Sequence, residues 1–118
     1  MISKLTSLVF ILTMFVLSSC GGDEPSEKPQ DNANNKKALT EIRKEEKIKE
    51  AFINDASVLY VSVEDDGTKR NGYANYLCEM LHEQNSTIKT IRVMKVGSIN
   101  DPAADGPYGI LLGETECK

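Results

Sequence analysis

Residues 58–63 read Val-Leu-Tyr-Val-Ser-Val, and a helical repeat follows soon afterwards. That succession constrains the fold more than any other feature of the chain. β-Branched and aromatic residues at this density favour a strand, and Glu64-Asp65-Asp66-Gly67 ends it with turn chemistry. Leu59, Val61 and Val63 share one face of the strand, with Val58, Tyr60 and Ser62 on the other. Tyr73, Tyr76, Leu77, Met80 and Leu81 then recur at i, i+3, i+4, i+7 and i+8, which predicts an amphipathic helix over about residues 71–84, with Thr68 or Asn71 as its cap. Residues 88–96 form a second apolar run. In it Ile91 and Val93 oppose Met94 and Val96, so that strand is buried on both faces or bulged. Strand, helix and strand in this order predict a right-handed crossover between parallel strands.

The flanks add less regular elements. Residues 38–53 hold good helix formers and neither Gly nor Pro, which predicts a first helix. Its apolar stripe of Leu39, Ile42, Ile48, Ala51 and Phe52 is broken where Glu45 and Glu46 fall. A Gly/Pro/Asp-rich loop over residues 97–107 leads to an apolar run at 108–112, expected to return antiparallel as a third strand. The expected architecture is a small α/β or α+β domain in the order α-β-α-β-β. It has a three-stranded mixed sheet with one or two helices packed on it.

Residues 21–37 contain no aromatic or branched aliphatic side chain and many Asp, Glu, Asn and Lys. Such composition cannot bury enough apolar surface to offset its ordering entropy, so it predicts a disordered tether. A flexible chain of that length has a root-mean-square reach of about 20–25 Å. Before it, Lys4 precedes a mostly apolar run over residues 5–17, the pattern of a secretory signal. Only 15 residues separate Lys4 from Cys20, short of the roughly 20 that span a bilayer core.

Leu17-Ser18-Ser19-Cys20 resembles the lipobox of bacterial lipoproteins. Small residues let the signal peptidase approach the backbone, and the thiol accepts the diacylglyceryl group. The resemblance implies cleavage before Cys20, lipidation of its sulfur and acylation of its new amino group. Several acyl chains, at about 0.8 kcal/mol per buried CH₂, make a lasting membrane anchor. Gly21 after the cysteine implies the outer membrane, on either its periplasmic or its cell-surface face. The expected organisation is a signal peptide over 1–19, lipidated Cys20 with its spacer to 37, and one small domain over 38–118.

The whole chain carries 14 basic and 18 acidic side chains, for a net charge of -4. Without residues 1–19 it retains 13 and 18, for -5 with a blocked amino terminus. An acidic domain does not suit nucleic acid, whose binding needs clustered Lys and Arg. It is also repelled by an anionic membrane, leaving the lipid to hold it there.

Cys78 and Cys117 remain, an even number that suggests one disulfide in an exported protein. The competing reading pairs Cys78 with His82, the only histidine, four residues along one helix face as a thiolate–imidazole couple. No second histidine completes a zinc site. Asp101 to Gly106 imitates a calcium loop but puts Ala103 at the third position and Leu112 where a bidentate Glu is required. No phosphate loop or nucleophile elbow occurs, and no cofactor or metal is expected. Candidates for contact are Lys69, Arg70, Asn71 and Tyr73, at the edge of the sheet where ligands of open α/β folds gather, and Tyr60 if its face is uncovered.

Three functional classes follow. The first is a lipid-anchored, non-enzymatic module that binds a protein or envelope partner. The second is a thiol-dependent enzyme or redox protein using Cys78 and His82. The third is a structural subunit of the envelope.

Overall fold

A computed structural model describes residues 27–118. The expected lipidation site Cys20 and the expected signal peptide lie outside the described residues. A 3-10 turn at Pro29–Asp31 leads into α1 (Ala33–Arg43), followed by β1 (Glu50–Ile53), β2 (Val58–Val63), α2 (Asn71–Glu83), β3 (Thr90–Lys95) and β4 (Leu111–Glu116). The fold is α+β, with one four-stranded mixed sheet in the order β1-β2-β3-β4.

Four strands stand where three were expected, because the predicted helix over 38–53 divides. Asn32 caps α1, its side chain accepting from the Asn35 N–H at 3.1 Å. Ala38 and Ile42 fill its buried stripe, but the next turn would offer Glu45 and Glu46 to the core. The helix therefore stops, and Ala51 and Ile53 alternate inward between exposed Glu50 and Phe52. Pairing with β2, from Glu50↔Ser62 to Ile53↔Leu59, overrides the helical propensity of the segment.

Helix α1 also begins earlier than expected, so residues 33–37 of the supposed tether are helical. Asn35 explains why they are ordered. Its fully buried side chain donates to Pro29 O at 3.0 Å and Thr87 Oγ1 at 2.8 Å. It accepts from Ser86 Oγ at 2.7 Å and Thr87 N at 2.8 Å. A buried amide with every such partner satisfied locks the helix start to the loop before β3.

The parallel pairing is as the sequence predicts. β2 and β3 run parallel, from Val58↔Thr90 to Val63↔Lys95, with α2 between them. β3 is buried on both faces and irregular: Ile91, Val93 and Met94 are all buried, and the β3–β4 register shifts between Val93 and Met94. β4 is antiparallel to β3 but lies later than residues 108–112. Residues 106–109 form a tight turn closed by a Gly106↔Gly109 bridge, leaving the more polar 111–116 to pair.

Both helices pack on one face of the sheet. Ala38, Ile42, Ala74, Leu77 and Leu81 meet Ala51, Ile53, Leu59, Val61, Val63, Ile91 and Val93 in a single cluster. The buried stripe of α2 is Ala74, Leu77, Cys78 and Leu81, rotated slightly from the expected one, so Tyr76 is exposed and Tyr73 half-buried. Small Ala74 and Cys78 let α2 come close to the sheet. Gly113 permits the same approach from β4: a Cβ there would lie 2.4 Å from the Arg70 carbonyl carbon.

Neither Thr68 nor Asn71 caps α2. Thr68 binds Asp66 instead, and Asn71 Oδ1 accepts from Glu114 N at 2.9 Å. Arg70 N donates to Leu112 O at 3.0 Å, so the start of α2 blunts the outer edge of β4. The opposite edge is short, and Arg43 Nη2 donates to Ala51 O at 2.9 Å there.

Candidate functional site

Among the described residues both helices lie on one side of the sheet, and the other face is covered only in part, by the 97–110 loop. Alternation brings Phe52 of β1, Tyr60 of β2 and Arg92 of β3 onto it, with Glu114 of β4. The 97–110 loop adds Tyr108. Its ring centroid lies 4.3 Å from that of Tyr60 and 5.3 Å from that of Phe52, and Phe52 stacks on Tyr60 at 5.2 Å. Such offset and tilted pairs contribute beyond their buried area.

The turn that carries Tyr108 is built for its position. Gly109 has φ of 109°, and a Cβ there would collide with the Ser98 hydroxyl. Buried Ser98 donates to Lys95 O at 2.6 Å and accepts from Ile110 N at 2.8 Å. Asp105 Oδ2 accepts from Leu111 N at 2.8 Å, closing the base of the loop.

Beside Tyr108 lies a groove of about 430 Å³ with Tyr60, Met94 and Leu111 as apolar lining and Arg92, Asp105 and Glu114 as polar lining. Arg92 Nη1 donates to Tyr60 Oη at 3.1 Å, and Arg92 Nε lies 3.4 Å from Glu114 Oε2. The guanidinium sits 5.9 Å from the Tyr60 ring centroid, within cation–π range. A second depression on the far side of Tyr108 is lined by Gln30, Phe52 and Asp55 among others. This face offers aromatic surface, ring-bound hydrogen bonds and charge, which suits binding.

The expected contact residues are scattered rather than gathered. Tyr60 belongs to the open face, but its own exposure is only 5%. Phe52 and Tyr108, exposed at 38% and 36%, cover it and form the accessible surface in its place. Arg70 is buried, with Nη2 donating to Glu64 O at 2.9 Å and pairing with Asp66 Oδ2 at 3.2 Å. It holds the β2–α2 loop. Asp66 in turn is kept below the ordinary carboxylate range by hydrogen bonds from the Thr68 side chain and amide. Lys69 and Asn71 are exposed beside β4.

Tyr73 is half-buried against the 44–49 turn, its hydroxyl 3.5 Å from Glu45 Oε1. Burial first, and then the Glu45 carboxylate, push its pKa up to about 12. Arg70 and Tyr73 are engaged within the fold, while Lys69 and Asn71 stand exposed beside β4.

Cys78 and Cys117 form a disulfide with a Cα–Cα separation of 5.4 Å, tying α2 to the end of β4. A bonded sulfur has no thiolate to offer His82, which is exposed on α2. Among the described residues no three His, Cys, Asp or Glu side chains come together to hold a metal. None of the described helices is long and apolar enough to cross a membrane.

Sequence reasoning missed Phe52, Arg92, Tyr108 and Glu114. Phe52 was readable from the alternation of Ala51 and Ile53 around it, whereas Tyr108 needed the course of a loop. No protein-family model, curated protein or solved structure matches the chain.

Proposed function

We propose that this is a lipid-anchored envelope protein, acylated at Cys20 and held at the outer membrane, whose folded domain binds a protein partner and catalyses no reaction. The observation that carries the binding role is the one-sided cover of the sheet. Two helices bury one face, while the other presents Phe52 and Tyr108 around Tyr60 and Arg92. Aromatic and Arg side chains in a shallow groove are the residues that anchor protein interfaces. The lipobox-like Leu17-Ser18-Ser19-Cys20 supports the anchor. The Cys78–Cys117 bridge supports the non-enzymatic reading, because a bonded sulfur is not a thiolate nucleophile.

Photo-crosslinking in intact cells tests this role. A benzophenone amino acid at position 52 or 108 is expected to give discrete adducts, and the same probe at exposed Glu79 on α2 is not. No adduct from the open face would refute it. Separately, a fatty-acid analogue should label the protein, and Cys20→Ser should abolish both label and membrane fractionation.

A further inference from the structure

We propose that the partner segment docking on the open face is basic, its Lys or Arg side chains lying on the Phe52 and Tyr108 rings and meeting carboxylates at the rim. This rests on the binding role assigned above to that face. Glu50 alternates with inward Ala51 beside Phe52. Glu114 and Glu116 alternate with Gly113 and Thr115, which face α2: Gly113 abuts Arg70, and Thr115 Oγ1 lies 2.6 Å from Asn75 Oδ1. The loops add Asp55 beside Phe52 and Asp105 beside Tyr108.

All five of these carboxylates are exposed. Against them, the described strands place one cation on this face, Arg92, and it is already engaged by Glu114 and Tyr60. Lys95 lies opposite Val63 and so falls on the helix side. The surface is therefore an aromatic floor with an acidic rim, complementary to a cationic segment and repulsive to an acidic one. Arg92 shows the mode within the molecule: a guanidinium against the Tyr60 ring, paired to Glu114. Lys and Arg bring long apolar stems as well as charge, which matches apolar rings bordered by carboxylates.

The test uses the acylated protein in neutral detergent micelles, ¹⁵N-labelled, titrated with an extended Lys/Ser peptide and with its Glu/Ser counterpart. The Lys peptide is expected to bind, with amide shifts concentrated at residues 50–52, 60, 92, 105–108 and 114, and to weaken as salt rises. Glu50→Gln with Glu114→Gln should weaken it roughly two- to fivefold per carboxylate, the range of exposed ion pairs. Shifts centred on α1 or α2, equal binding of the Glu peptide, no binding of either, or no effect of the double variant would each overturn the proposal. The cross-link at position 52 separates the two readings. A linked partner segment that is acidic or uncharged removes the basic partner and leaves the docking face standing, whereas no adduct removes the face itself.

Discussion

The two faces of the sheet are made from the same strands and differ in almost every other respect. The covered face is aliphatic, with Leu59, Val61, Ile91 and Val93 at 0% exposure against Leu77 and Ile42. The open face is aromatic and charged, and its rings shield one another rather than being shielded by a helix. A β-strand with period two is free to serve both purposes at once, because adjacent residues never compete for the same environment. One face holds the domain together, and the other is the face to which the binding role is assigned by proposal.

The covered face should break first. Leu77→Ala empties a fully buried site and is expected to cost about 2–5 kcal/mol in chemical denaturation. Removing the Cys78–Cys117 bridge, whose partners lie 39 residues apart, should cost about 3–4 kcal/mol in the chain-entropy account. The double Cys→Ala variant should show it as a lowered denaturant midpoint. Asn35→Ala, which leaves Thr87 N and Ser86 Oγ without their acceptor, should cost about 1–3 kcal/mol. It should also speed amide exchange in residues 29–36.

The open face should respond differently. Tyr108→Ala removes two ring contacts made by a partly exposed side chain and should cost about 0.5–1.5 kcal/mol beyond the loss of its buried area, while cutting the cross-linking yield from position 52. A stability loss as large as that of Leu77→Ala would mean that the two faces are not divided in this way.

The smallest effect is confined to alkaline pH. Tyr73 has its pKa pushed up to about 12 from 10.0 by burial and Glu45. Between those values the unfolded chain has released this proton and the folded one still holds it. The contribution of Tyr73 is therefore complete below pH 10 and is lost as pH rises towards 12. The gap in thermal midpoint between the parent and Tyr73→Phe should narrow over that interval and stay constant below it.

The covered face was largely legible in the sequence. Leu59, Val61 and Val63 declared their side by alternation, the α2 repeat sat within about one position of its true stripe, and the irregularity of β3 showed in Met94 breaking the pattern of Ile91 and Val93. Three features were not. Residues 50–53 read as helix because propensity is local, while their strand exists only through the partner β2. Asn35 read as tether because polar composition conceals a buried, fully bonded amide. β4 was displaced because the apolar density at 108–112 is spent partly on a loop that returns over the sheet.

The sequence by itself determined the strand–helix–strand order and the antiparallel return, and suggested the cysteine pairing that the 5.4 Å Cα–Cα separation then decided. Only the tertiary structure decided which faces are covered and which groups share a surface. Tyr60, Arg92, Tyr108 and Glu114 come together through sheet register and the course of one loop. Both are set by contacts between distant residues, which no local pattern encodes.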